Sequence, residues 1–211
     1  MTDHKFDDPA KFWDHKFDRA DYRYGTEPNA FMADALPEVV EPEARVLCVG
    51  DGEGRNGVWC AEQGYRTTSI EPSTVGADKI EALAKERGVD MEVIRDAMPS
   101  SAIEDGAFDA VVLVFIHAPE SMRRKIHRAS IEALKPGGVI VLEGFTPDQR
   151  HNDRSSGGPP NPDLMFTESI LRDDFDELDI DLLSEQVVKL SEGTGHSGKA
   201  DVIRMIATKG Q

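Results

Sequence analysis

Gly50, Gly52 and Gly54 alternate with Asp51 and Glu53 directly after the apolar run that begins at Val46. Glycines at such a place let the backbone turn tightly and approach a ligand closely, and the start of the next helix offers free N–H groups. Gly52-Glu53-Gly54-Arg55-Asn56-Gly57 also matches G-x-G-x-x-G, the spacing of a dinucleotide site, but its first glycine comes two residues after the apolar run ends. Read from the exit of that run, the phase is G-x-G-x-G. Two carboxylates beside the place of a pyrophosphate disfavour a dianion and suit a zwitterionic or cationic ligand. Glu71, 21 residues beyond Gly50 (71 − 50), ends a second strand-like run and could bond both hydroxyls of a ribose. It supports an adenosine-containing ligand without choosing between the two classes.

Histidines and arginines supply the other candidates. His117 ends the most hydrophobic run and is the first candidate for a base where a nucleophile must lose a proton. The alternative is a strand-end histidine that hydrogen-bonds a loop. Arg150, His151 and Arg154 in a Gly/Pro-rich loop, with His196 at a hairpin tip, form a candidate rim for a small anionic substrate; such loops also serve as plain connectors. His127, His4 and His15 read as solvated or structural. There is no triad order, no CxxC, no HExxH and no EF-hand loop, so no metal is expected. Cys48 and Cys60 read as small core residues in a reduced protein.

These residues need a frame. Strands are expected at 46–50, 67–70, 91–95, 109–116 and 139–145, alternating with helices at 56–63, 77–87 and 120–134. Alternation of this kind means βαβ units, a parallel sheet and helices on both faces. Lys135-Pro136-Gly137-Gly138 is expected to end the third helix. A helix near 167–175 and strands near 179–190 and 200–208 follow, joined by a short glycine-rich connection that makes an antiparallel hairpin. In such sheets ligands bind beyond the carboxyl ends of the strands, where strand order reverses. The first strand should flank that point.

The chain of 211 residues suits one domain, and 39% hydrophobic content suits one sizeable core. The expected division is an N-terminal segment 1–37, a cofactor-binding core 38–145, and a substrate loop and hairpin 146–211. A formal charge of −16 makes nucleic acid and anionic membranes poor partners. The start lacks a signal-peptide pattern, and no apolar run approaches the roughly 20 residues that span a bilayer. A cytoplasmic monomer or homodimer is expected.

VLCVGDGEGRNG (46–57), TSIEPS (68–73), VIRDAM (93–98), FDAVVLVFIH (108–117) and LKPGGVIVLEGF (134–145) resemble the successive motifs of class I S-adenosylmethionine-dependent methyltransferases. FWDHKFDRADYRYGTEPNAF (12–31) and GGPPNPDLMFTESILRDDF (157–175) resemble the tellurite-resistance and thiopurine methyltransferase-like branch. The resemblance implies a Rossmann-like αβα sandwich whose seven-stranded, mostly parallel sheet ends in the antiparallel hairpin. It implies S-adenosyl-L-methionine as cofactor, with Gly50, Gly52 and Gly54 under its methionyl part and Glu71 on its ribose. Asp96 and Ala97 would meet the adenine, while Asp51, Asn56 and Pro72 would lie against the cofactor. Ile116 and His117 would border the methyl-transfer chamber, and Trp13, Tyr24 and Gly25 would cover it. One departure is Cys48, where many relatives carry an acidic residue that organises the amino end; Asp51 or Glu53 is the candidate substitute.

The expected activity is methyl transfer to a small acceptor such as a thiol or chalcogen oxyanion, by in-line displacement. A protein or RNA methyltransferase of the same fold is one alternative. It lacks a basic face here, and the chain reads FIHAPE where an Asn-Pro-Pro-Tyr-type motif would stand. A nicotinamide-dependent oxidoreductase and a non-catalytic cofactor-binding protein are the others.

Overall fold

The computed structural model describes residues 8–211. Seven strands form one sheet in the order β3-β2-β1-β4-β5-β7-β6. They are β1 (Arg45–Val49), β2 (Arg66–Ile70), β3 (Glu92–Ile94), β4 (Phe108–Val114), β5 (Leu134–Phe145), β6 (Leu178–Glu192) and β7 (His196–Lys209). Strands β1 to β5 pair in parallel, and β7 joins β5 and β6 antiparallel. The order reverses between β1 and β4, so the exit of β1 is a topological switch point. This is the Rossmann-like sandwich with a C-terminal hairpin that the sequence led us to expect.

Helices α3 (Arg55–Glu62), α4 (Thr74–Arg87) and α5 (Glu120–Ala133) connect the parallel strands. Leu47, Val111, Leu113, Ile140 and Leu142 belong to one core cluster; Val46, Cys48, Val112 and Val141 belong to another. Consecutive side chains of one strand thus enter different clusters, as the period of two requires of a sheet covered on both faces. Cys48 and Cys60 are both buried and free.

Two details of the expected elements differ. Lys135-Pro136-Gly137-Gly138 lies within β5, because Leu134 already pairs with Phe108; the register then shifts before Ala110 meets Val139. The N-terminal segment, read as aromatics among charges, holds helix α1 (Pro9–Phe17) and helix α2 (Ala30–Val39). Asp8 caps α1 by accepting from the Lys11 N–H at 3.1 Å, with Pro9 following it. Asn29 caps α2 by accepting from the Met32 N–H at 3.0 Å. Asp and Asn are favoured at such N-caps, but neither helix was expected from the sequence. Within the loop 146–167 lie helix α6 (Asp148–His151) and a 3-10 turn at Pro162–Leu164, with α7 (Glu168–Asp174) behind it.

Candidate active site

The loop after β1 is built on left-handed backbone. Gly50, Gly52 and Gly54 have φ of 56°, 65° and 96°, a region costly for any residue with a Cβ. Space forbids larger residues as well. A Cβ on Gly50 would lie 2.7 Å from Ile116 Cδ1, and one on Gly54 would lie 3.0 Å from the Cα of Ile80. Helix α4 also presses on the loop, since a Cβ on Gly76 would come within 2.6 Å of the Gly52 carbonyl oxygen.

The acidic residues divide into two kinds. Asp51 turns under the loop: it accepts from the Gly57 N–H at 3.2 Å and from the Ser69 hydroxyl at 2.6 Å. Burial pushes its carboxyl up to about 6. Glu53 accepts from the Arg23 N–H at 2.7 Å and pairs with Lys79 at 2.7 Å. Both carboxylates, expected to favour a cationic ligand, are therefore engaged by groups of the protein itself. Glu71 sits at the exit of β2 and accepts from the Gly52 N–H and the Ser73 N–H, each at 2.8 Å. Its carboxyl is pushed up to about 8, chiefly by burial. A carboxylate has about four acceptor sites, so these two bonds leave room for ribose hydroxyls. Asp96, exposed just beyond β3, accepts from the Ala97 N–H at 2.8 Å and the Ser100 hydroxyl at 2.6 Å, which hold its carboxyl low.

The N-terminal segment lies over this loop. The Phe17 ring faces Gly52 and Gly76, and it stacks on Trp13 with centroids 5.3 Å apart. Asp14 caps α4 by accepting from the Ser73 hydroxyl at 2.7 Å and the Val75 N–H at 3.1 Å. Tyr24 packs against His196 with centroids 4.5 Å apart. The hairpin tip closes from the other side: the Gly195 N–H donates to the Arg23 carbonyl at 2.8 Å, and a Cβ on Gly193 would lie 2.4 Å from the Gly25 nitrogen. His4 lies outside the described residues.

At the end of β4, Phe115 adopts a left-handed φ of 57° and its ring meets both Phe145 and His196 at 4.5 Å. Ile116 covers Gly50. His117 is held at both ring nitrogens. Nδ1 faces the Leu164 carbonyl at 3.0 Å, and Nε2 accepts from the Phe145 N–H at 3.0 Å. A carbonyl only accepts and an N–H only donates, so these partners fix the neutral tautomer with its proton on Nδ1. Arg150, expected at the substrate rim, donates to the carbonyls of Arg154, Gly157, Gly158 and Pro159. It shapes the loop from within. Arg154 pairs with Asp201 at 2.6 Å. His151 and His15 are exposed, and His127 is buried against Asp174 at 2.8 Å.

A buried polar network ties these parts together, and sequence reasoning missed most of it. Asn29 donates to Glu143 at 2.7 Å and to Glu192 at 2.9 Å, while its own N–H donates to Asn56 at 2.9 Å. Arg204 donates to Glu143 at 2.5 Å. Glu192 pairs with Arg55 at 2.9 Å and with His196 at 3.0 Å, partners that hold its carboxyl down at about 2. Glu143 gave one signal, a lone carboxylate inside the apolar run VIVLEGF. Arg55, Asn29 and Glu192 gave none.

Residues 46–138 match the family model described as a methyltransferase domain. No curated protein shows a matching sequence. Among solved structures, a methyltransferase from Methanosarcina mazei superposes with a TM-score of 0.70 at 20% identity, covering 83% of this chain and 97% of that one. TehB from Haemophilus influenzae gives 0.67 at 17% identity, over 95% of this chain and 66% of that one. The [4+2]-cyclase SpnF gives 0.68 at 16% identity, over 96% and 95%. The fold is therefore the one these solved methyltransferases have, and residues 46–138 carry the match to the methyltransferase domain. The domain implies S-adenosylmethionine as the cofactor. The residues present fit that group: a side-chain-free cradle at the β1 exit, a carboxylate at the β2 exit with acceptor sites to spare, and an exposed carboxylate beyond β3. No helix among the described residues is long and apolar enough to cross a membrane, and none of their side chains cluster as a metal site.

Proposed function

We propose that this protein transfers a methyl group from S-adenosylmethionine to a small-molecule acceptor, such as a thiol or a chalcogen oxyanion, by in-line displacement. The observation that carries the reading is the closure over the β1 exit. Residues 23–25 are bound to the loop through Glu53 and to the hairpin tip through Gly193 and Gly195. A site roofed by its own chain admits a small acceptor more readily than a folded protein or an RNA helix. The charge of −16 acts against RNA in the same direction.

Bound S-adenosylmethionine supplies a methyl group on a positive sulfur. Gly50, Gly52 and Gly54 bring the backbone close to its methionyl part, with Asn56 and Pro72 beside it. Glu71 holds the ribose, and Asp96 with Ala97 meets the adenine. Trp13 and Tyr24 exclude water from above, and Ile116 lines the chamber floor. His117 holds the β4 exit against the 164–166 segment, so its first role is to position the chamber wall. A soft anionic nucleophile then needs no base, and alignment supplies most of the rate. On this reading the chain is one cytoplasmic domain: lid 1–37, cofactor core 38–145, and substrate loop with hairpin 146–211. His196 and the Arg150 loop border the acceptor side.

A second reading has one observation in its favour. GEGRNG fits a dinucleotide fingerprint, and nicotinamide cofactors also bind at such switch points. Titration calorimetry with S-adenosylmethionine, S-adenosylhomocysteine, NAD and NADP decides between them. Binding of the dinucleotides without the methionine derivatives would overturn the proposal. A homocysteine-release assay over thiols, selenite, tellurite and small amines then finds the acceptor; if methyl groups passed only to protein or RNA, the small-molecule assignment would fall.

A further inference from the structure

Glu192 ends β6 and His196 begins β7, and the two face each other directly across the hairpin. Because β7 runs antiparallel to β5, its start lies beyond the carboxyl ends of the parallel strands, on the half of the sheet away from β2 and β3. His196 is 6% exposed, yet only one of its ring nitrogens is used. Nδ1 faces Glu192 Oε2 at 3.0 Å. That carboxylate also takes Arg55 and Asn29, each at 2.9 Å, and stays ionised. An ionised carboxylate only accepts, so the proton of the neutral ring sits on Nδ1 and the lone pair on Nε2. Nε2 has no hydrogen-bond partner among the described residues. Buried polar atoms left in that state are costly and uncommon. Burial also holds the imidazole below its ordinary value, which keeps the lone pair available at neutral pH.

The surroundings are aromatic. The rings of Phe115 and Tyr24 each lie 4.5 Å from the imidazole, centroid to centroid, and that of Phe145 lies 5.3 Å away. Phe115 is half-buried at the exit of β4 and sits at a φ of 57°, a costly backbone setting of the kind that clusters at functional sites. Gly157 stands at the Cδ2–Nε2 edge, where a Cβ would lie 2.4 Å from Cδ2 and 3.1 Å from Nε2. Any side chain there would shut that edge off. The arginines expected to draw an anion to this side are spent on the carbonyls of the loop and on Asp201.

We propose that His196, oriented by Glu192, takes the proton of the methyl acceptor, and that this acceptor is a phenol. The inference rests on the methyltransferase reading and narrows its acceptor. A phenol ring stacks on walls such as Phe115 and Phe145, and its O–H complements the lone pair of Nε2. It holds its proton to about pH 10, so unlike a soft anion it needs a base. The O–H proton passes to Nε2 while an electron pair of the oxygen forms the new bond to the methyl carbon. The methyl–sulfur bond breaks with its pair on sulfur, leaving an aryl methyl ether and S-adenosylhomocysteine. The imidazolium, paired with Glu192, then gives its proton to water.

The test compares wild type with His196→Gln, which keeps a donor for Glu192 but cannot take up a proton. Circular dichroism and thermal melts check that it folds. Methyl transfer is measured to phenol and to 4-nitrophenol, which ionises near neutral pH without help. A base predicts that the variant loses about 100-fold or more with phenol and stays within about threefold of wild type with 4-nitrophenol. Equal losses on the two acceptors would make His196 a packing residue and overturn the proposal. Calorimetry on the wild-type S-adenosylhomocysteine complex gives a readout apart from activity: phenol should bind tenfold or more tightly than anisole, which has no O–H, and equal binding would overturn the proposal. Should His196→Gln not fold, Phe115→Leu serves, with an expected tenfold rise in KM for both phenols; an unchanged KM would remove the ring wall. If wild type methylates thiols or oxyanions but no phenol, the proposal falls and the methyltransferase reading stands. If wild type does not bind S-adenosylhomocysteine at all, that reading itself fails, and the proposal with it.

Discussion

The Glu53 carboxylate accepts from the Arg23 main-chain N–H at 2.7 Å, so the glycine loop itself holds the segment that covers it. The other oxygen is paired with Lys79 on α4. Loop, lid and helix thus meet at one buried carboxylate. Glu53→Ala removes the lid's anchor and leaves Lys79 without its partner. The expected loss is about 2–4 kcal/mol, below that of a fully buried pair because Lys79 keeps some solvent contact. Limited proteolysis should then cut within 18–28 before the core, and S-adenosylhomocysteine should dissociate faster. Wild-type resistance to protease would show that the lid is held elsewhere.

Glu71 links the site to pH. Its folded-state carboxyl titrates at about 8, against 4.5 for the ordinary group, and burial is the main cause. A raised carboxyl contributes stability that is complete below pH 4.5 and is lost as pH rises through about 8. Asp51, raised to about 6 by burial, adds to the same fall at the lower end. Glu192 and Asp174, both lowered to about 2, act oppositely and cost stability only as pH drops below their ordinary values. His127 and His196, both lowered by burial, act oppositely up to their ordinary value of 6.5. Urea denaturation of the ligand-free protein should therefore show stability falling from pH 6.5 to pH 8, with a shallower fall in Glu71→Gln. Equal slopes in the two proteins would remove Glu71 as the cause.

Cofactor affinity should move the other way. Ribose hydroxyls donate best to an ionised Glu71, so S-adenosylhomocysteine should bind more tightly as pH rises towards 8. Glu71→Ala should weaken it about tenfold or more, since charge-assisted hydrogen bonds of about 1.5–3 kcal/mol disappear. Unchanged affinity in calorimetry would place the ribose elsewhere.

Gly57 shows two effects in competition. An alanine in the helix would gain about 1 kcal/mol of propensity. Its Cβ, however, would lie 2.3 Å from Ser69 Oγ and 2.4 Å from Asp51 Oδ2, both beneath the loop. Overpacking of that kind costs about 1–3 kcal/mol. Gly57→Ala should lower the melting temperature and weaken cofactor binding together; a more stable variant would show that the loop can yield.

His117 separates a positioning role from a base. His117→Phe leaves the Phe145 N–H without an acceptor and should cost about 1–3 kcal/mol. His117→Gln, which offers an acceptor near Nε2, should recover part of that stability and part of the transfer rate. A base would instead lose its rate in both variants at unchanged stability, with the pH dependence of kcat altered.

Local signals sufficed for the frame. The apolar runs, the glycines after β1 and the carboxylate at the β2 exit are short-range patterns, and period and spacing fix what they can form. The expected strands and crossover helices accordingly fall within a few residues of those observed, and the antiparallel hairpin is where its short connection demanded. Helices α1 and α2 were less legible, because their signals were single caps and few apolar residues. The partners of Asp51 and Glu53 were not legible at all, whereas a loop hydrogen bond for His117 was one of the two expected alternatives and is what Leu164 supplies. A carboxylate after a strand reads the same whether it faces a ligand or turns inward to a Gly57 N–H. Only packing decides that, because burial without a partner is too costly to leave unmet. The network of Asn29, Arg55, Glu143 and Glu192 joins residues up to 163 positions apart in the chain. No sequence period encodes such a meeting; it exists because the switch-point topology brings the lid, the start of α3 and the hairpin to one place.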